Sequence, residues 1–343
     1  IGVDLLLPPG DYPELDRPGL PAGRIRLDID DAELATRQVQ AHVTRTKPSA
    51  LLSNKDQTHA LLHHNAFRRG RPHTLFRVGT NVAEKLRRQG RITAPWRRRR
   101  LAALLAEADG LIGISPGVTR ALDAMLGPAS PPRARPALKT IWNPVDRSAQ
   151  IEAAAAPAAH PWLAAPDRPV IVSVGRLVKA KDYPTLIRAF ARLRARRPCR
   201  LILIGDGRQR ERLIRLARRL GIDADVDLIG HRANPFPLMA AADLFVVSSV
   251  FVGANNALME AVALGIPCVA TDCPSGPGDI LEHGALGPLV PPGDHRALAA
   301  AMEHALREPV DREVLRDSAA RFDLEQSVTR YQQALGLAGG GDA

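Results

Sequence analysis

The chain has 343 residues, enough for two domains of ordinary size, and its 45% hydrophobic and 24% charged residues give a globular profile with no apolar run long enough to span a bilayer. The net charge of +11 points to anionic partners or simply to an arginine-rich composition; with 4% aromatics and no zinc-finger or RNP-type spacing, nucleic-acid recognition is disfavoured. Three scattered cysteines exclude a disulfide framework and fit a reducing, cytoplasmic setting.

In chain order, VDLLLP (3–8) and RIRLDI (24–29) read as short strands. DDAELATRQVQAHVTRTK (30–47) reads as a helix with acidic residues at its start and basic ones at its end, as the helix dipole prefers. ALLS (50–53) is a strand, residues 56–70 a helix closed by glycine, and HTLFRV (73–78) a strand. A long basic helix near 81–107, a strand at LIGIS (111–115), a helix from Pro116 and a strand at LKTIWN (138–143) follow. Such alternation implies a parallel sheet covered by helices. Residues 147–168, rich in alanine and proline, read as a linker.

The pattern then restarts. PVIVSVG (169–175) is a strand of the fully buried kind, 183–197 an amphipathic helix, RLILIGDG (200–207) a strand ending in glycines, and 208–221 a helix closed by Gly221. DVDLIG, ADLFVVSS and IPCVATD supply three more strands, and helices near 294–307 and 323–336 close the chain. The fold class is α/β, with two such domains.

Several motifs fail on inspection. IGDGRQR (204–210) places Arg210 where a dinucleotide fingerprint needs its third glycine. The Asp-x-Asp at 28–30 sits at a strand-to-helix boundary, where Asp30 or Asp31 serves better as a cap than as a metal ligand. His59 and His63 share a helix face but lack the glutamate and third ligand of a zinc site, which leaves a surface or interface role. Cys268 and Cys273 read as core or loop residues.

Two stretches carry chemistry. In SVGRLVKAKDYPTLIRAF (173–190) a buried strand ends at Gly175, and Arg176 and Lys181 follow. They are donors suited to phosphate oxygens, at the strand end that faces the ligand crevice of open α/β sheets. In GANNALMEAVALGIP (253–267) a turn is followed by a cap at Asn255 or Asn256 and by a short helix that ends at Gly265. The N-terminus of that helix offers free N–H groups to an anion. Glu260, near its first turn, would repel phosphate and suits a pair of hydroxyls such as a ribose diol.

Six ordered segments, VGRLVKAKD, LILIGDG, VDLIGHRANP, AADLFVVSS, GANNALMEAVALGIPCVATDCPSGPGDIL and LGPLVPPGD, resemble the nucleotide-sugar domain of retaining GT-B glycosyltransferases of family 4. ADGLIGISPGV (108–118) and IWNPVD (141–146) match the first domain more loosely. The resemblance implies two Rossmann-like, doubly wound domains facing a central cleft, divided as 1–146, a linker at 147–168, a nucleotide-sugar domain at 169–322, and a last segment 323–343 returning to the first domain. It implies that Arg176 and Lys181 hold the donor diphosphate and Glu260 the ribose. Val252, Gly253, Ala254, Asn255, Asn256, Ala257 and Leu258 would line the donor sugar and phosphates, with His231 and Arg232 beside the base. No metal or cofactor is implied; the substrate would be a nucleoside-diphosphate sugar, a UDP-sugar first of all. The implied acceptor is a cell-envelope lipid or polysaccharide, and the implied place is the cytoplasm, peripheral to the inner face of an anionic membrane that the basic segment 88–110 could touch.

The sequence departs from the family pattern in three places. The family carries two glutamates with seven residues between them; the second falls on Glu260, the first on Val252, which implies altered donor-sugar handling. IGVDLLLP corresponds to the second strand of the pattern, and Gly79 stands near the position of a histidine. No catalytic base is assigned. A relative that binds nucleotide sugar without turnover, a nucleotide-sugar epimerase and a salt-dependent nucleic-acid binder are the competing expectations.

Overall fold

A computed structural model describes residues 3–7, 22–26, 31–54, 56–62, 72–89, 94–127 and 135–337. The N-terminal half contains β1 (Val3–Leu7) and β2 (Ala22–Arg26), paired in parallel, and a parallel sheet of β3 (Ala50–Ser53), β4 (His73–Val78), β5 (Gly110–Gly113) and β6 (Ala137–Thr140) in that order. The C-terminal half is built on β7 (Val170–Val174), β8 (Arg200–Ile204), β9 (Val226–Gly230), β10 (Leu244–Val247), β11 (Cys268–Thr271) and β12 (Leu289–Val290).

The six strands are ordered β9-β8-β7-β10-β11-β12, all in parallel. Chain order therefore runs outward in both directions from the centre, and the switch point lies between β7 and β10, where open α/β sheets form their crevice. Both faces of this sheet are covered, which is why its strands are continuous apolar runs. Val170, Val172, Ile202 and Phe245 pack on one side with Leu258 and Val262 of the helix Asn256–Ala263. Ile171, Leu201, Leu203 and Val246 pack on the other with Leu186 and Phe190 of the helix Tyr183–Arg194 and Met302 of the helix His295–Arg307.

Three local expectations change. The segment 147–168 is partly helical, at Arg147–Ala154 and Pro161–Ala164, because Asp146 and His160 each cap a helix there. The basic stretch near 81–107 forms two helices, Val82–Gln89 and Ala94–Leu105. His59 is buried rather than at the surface: its ring stacks on Phe76 at 4.5 Å and its Nδ1 lies 2.7 Å from Ser53 Oγ. His63 and the Asp-x-Asp at 28–30 lie outside the described residues, while Asp31 caps the helix Ala32–Thr46 through Glu33 N and Leu34 N. The helix Leu324–Ala334 crosses to the N-terminal sheet, where Ala334 and Tyr331 pack with Leu75, Ile112 and Ile141.

Candidate functional site

The loops after β7 and β10 flank the switch point and are stitched together. Ser248 Oγ donates to Lys181 O at 2.8 Å, and Val250 N to Ala180 O at 2.9 Å. Arg176 and Lys181 thus stand beside the segment that leads into the helix Asn256–Ala263. Arg176 is exposed, and no described carboxylate comes within ion-pairing distance of either residue. Burial pulls the Lys181 ammonium below its usual range; the nearby Arg176 charge pushes the same way, and Cys273 opposes it. A cation held at a cost beside a second cation is relieved by an anion.

The strand ends form a glycine ledge. A Cβ on Gly205 would lie 2.1 Å from Gly175 O, so only glycine allows the ends of β7 and β8 to approach this closely. Gly205 N donates to Gly230 O at 2.9 Å, extending the ledge to β9. His231 and Arg232 follow Gly230 and are exposed at this edge.

The turn before the helix meets the other half of the molecule. A Cβ on Gly253 would lie 2.2 Å from Gly79 O. Ala254 packs against the apolar cores of both halves. Asn255 is the N-cap, with Oδ1 accepting from Leu258 N, and its buried Nδ2 has no hydrogen-bond partner among the described residues. Asn256 is exposed, and Ala257 and Leu258 pack inward. Val252 is half-buried, and its Cγ1 would lie 3.5 Å from a Cβ on Gly276.

Glu260, one turn into the helix, is half-buried, and burial raises the pKa of its carboxyl. No ion pair satisfies it among the described residues, whereas its backbone O accepts from Gln150 Nε2 at 2.8 Å. A carboxylate in this state is suited to accept from ligand hydroxyls.

Several residues at this seam give no signal in the sequence, because each works through a distant partner. Asn81 Nδ2 donates to Ser275 Oγ at 2.6 Å, and Ser115 Oγ donates to Gly253 O at 3.4 Å. Asp279 accepts from Gly117 N at 2.9 Å and from Arg120 at 3.0 Å, so a carboxylate of one half caps a helix of the other. The near-contact of Gly117 with Ser275, where a Cβ would lie 2.6 Å from Ser275 Cα, is legible in sequence only as an unexplained glycine after Pro116.

Comparison with known proteins bears on the fold. Residues 168–308 match the family described as Glycosyl transferases group 1. The chain is 37% identical over 113 residues to an uncharacterized glycosyltransferase of Methanocaldococcus jannaschii, covering 33% of this chain and 28% of that one. It is 37% identical over 142 residues to the lipopolysaccharide core biosynthesis glycosyltransferase LpsE of Rhizobium meliloti, covering 41% of each. The matches thus span less than half the length of either relative. The crystal structure of Anabaena HepE in complex with UDP superposes with a TM-score of 0.78 at 19% identity, over 98% of this chain and 100% of that one. The fold is therefore the GT-B fold of glycosyltransferases. The similarity to the Glycosyl transferases group 1 family lies within residues 168–308 of this fold.

Proposed function

We propose that this chain is a glycosyltransferase that moves a sugar from a nucleoside-diphosphate donor, a UDP-sugar first of all, to a cell-envelope lipid or polysaccharide, with retention of anomeric configuration. The observation that carries this proposal is the pairing of Arg176 and Lys181, without described carboxylate partners, with a capped helix N-terminus across the switch point. The UDP complex of the structural neighbour HepE and the lipopolysaccharide role in the name of LpsE support the donor and acceptor classes.

Under this proposal Arg176 and Lys181 hold the diphosphate, and the turn Val252–Leu258 lies against the phosphates and sugar. Glu260 accepts from the ribose hydroxyls, and His231 and Arg232 lie at the base. Transfer breaks the bond from the anomeric carbon to the diphosphate, so negative charge grows on the leaving group. Two cations and a helix N-terminus stabilise that charge electrostatically, which supplies the role a metal plays elsewhere.

The acceptor would reach the cleft from an anionic membrane surface on the cytoplasmic side. The helix Ala94–Leu105 supports this: Trp96 is 66% exposed beside exposed Arg97, Arg98, Arg99 and Arg100. An aromatic anchor within a basic cluster is suited to lipid headgroups.

Val252 favours a second reading, in which nucleotide sugar is bound but not turned over, because an apolar group stands beside the donor turn. A thermal-shift panel of UDP-, GDP- and ADP-sugars, followed by donor turnover for the natural chain and Val252→Glu, separates the two. Stabilisation by one nucleotide class together with release of free nucleotide supports the transferase. Binding with no turnover in either form supports the second reading, and no stabilisation by any member of the panel contradicts both.

A further inference from the structure

Arg77 is the penultimate residue of β4 and is half-buried. Its guanidinium donates to three neutral acceptors from three separate segments: Asn54 Oδ1 just after β3, Asn143 Oδ1 beyond β6, and Tyr331 OH at 2.9 Å on the crossing helix Leu324–Ala334. No described carboxylate pairs with it. A planar fork that satisfies three acceptors at once is specific to arginine; lysine offers a point charge with no such geometry.

The contact with Asn143 continues across the seam. Asn143 turns its Oδ1 to the guanidinium, which fixes its Nδ2 in the opposite direction, and that Nδ2 donates to Asn256 Oδ1 at 2.7 Å. The orientation of the amide follows from charge: the reversed amide would set N–H against N–H at the arginine. Asn256 is the first residue of the helix whose N-terminus faces the crevice. The guanidinium also lies close to the seam through its own strand. Its NH1 would be 3.8 Å from a Cβ on Gly79, and Gly79 O is the atom packed against Gly253.

We propose that Arg77 is a positioning residue for this site. Through Asn143 it sets the place of the helix N-terminus at Asn256, so that the first half of the molecule orients the groups the second half presents to its ligand. Asn54 and Tyr331 brace the arginine, Asn143 transmits, and Asn256 receives. Consecutive hydrogen bonds that begin at a cation polarise one another, which strengthens the link nearest the helix.

The inference stands on the seam geometry and does not depend on the identity of the nucleotide. Its test is amide hydrogen exchange of the ligand-free chain, resolved over 253–258 and over 324–334. In Arg77→Lys and in Asn143→Leu, exchange over 253–258 rises about fivefold, the ratio one net hydrogen bond sustains. In Tyr331→Phe the rise is confined to 324–334. Arg77→Lys adds nothing over 253–258 when placed on Asn256→Ala, since the receiving group is already gone. Asn256 is exposed, so Asn256→Ala also keeps the test open should Arg77→Lys fail to fold. Unchanged exchange over 253–258 in Asn143→Leu and Asn256→Ala, or additive effects in the double variant, overturns the proposal. UDP titration of the same variants adds a second reading, with affinity falling by about the same fivefold factor. Failure of the natural chain to bind UDP would count against the proposed function and leave the exchange result to decide the relay.

Discussion

At the scale of single residues, Glu260 and Lys181 are ionisable groups that burial disfavours in their charged forms, and neither forms an ion pair among the described residues. The folded chain raises the pKa of Glu260, so it holds that proton more tightly than the unfolded chain does. Stability from this group is therefore full below the ordinary value of 4.5 and falls as pH rises through the raised folded value. Glu260→Gln removes that slope. At neutral pH it raises the stability of the ligand-free chain by about 1 kcal/mol while weakening nucleotide binding. Parallel thermal melts and UDP titrations across pH check this, and a loss of stability at neutral pH would contradict it. Lys181 has the opposite sign, since its folded pKa lies below the ordinary 10.5. The ligand-free chain gains stability as pH rises from the lowered value toward the ordinary one. Under the proposed function a bound diphosphate would raise the pKa again, so binding would take up a proton at alkaline pH and weaken as pH climbs. Calorimetry in buffers of different ionisation enthalpy reads this uptake directly.

At the scale of elements, the turn before the helix Asn256–Ala263 is shaped from both sides. Its chemistry is legible in sequence because caps, helix stops and the placement of cations after a strand are local: Asn255 caps and Gly265 adopts a φ of 73° past the helix end. The need for Gly253 is not legible, because Gly79 is far away in sequence. The same holds for Asn143, which reads as part of a strand end and serves as a bridge to Asn256. Residues 147–168 read as a linker from their alanine and proline content, yet Asp146 and His160 supply caps that start helices there. Gly253→Ala tests the turn. The added Cβ meets a backbone oxygen at 2.2 Å, which separation of the two halves relieves more readily than any local shift. The expected cost falls on closure, about 1–3 kcal/mol. Small-angle scattering then shows a larger radius of gyration with both α/β halves still folded, and an unchanged radius would contradict this.

At the scale of the whole molecule, the cleft is a seam with polar contacts spread along it. The Asp279 side chain, only 6% exposed, holds Gly117 N–H and Arg120. Asp279→Ala leaves both donors without their carboxylate, and a more open cleft follows; Arg120→Ala has the smaller effect because Arg120 is 66% exposed. Scattering on the pair ranks them, and equal profiles would show that the seam is held elsewhere. Strand alternation, two α/β units and the cations after β7 are all readable along the chain, since buried strands and helix faces leave a period in the sequence. How the halves meet is not, because each seam contact joins residues more than a hundred positions apart. The proposed function requires the switch-point crevice to bind a nucleoside diphosphate through Arg176 and Lys181. The most direct measurement is a calorimetric titration of UDP into the natural chain and into the double variant Arg176→Ala, Lys181→Ala. Saturable binding by the natural chain, weakened by about a hundredfold in the variant, is the predicted result, at about 1.5 kcal/mol for each charge-assisted hydrogen bond removed. Equal affinity in both proteins, or no binding by the natural chain, would contradict it.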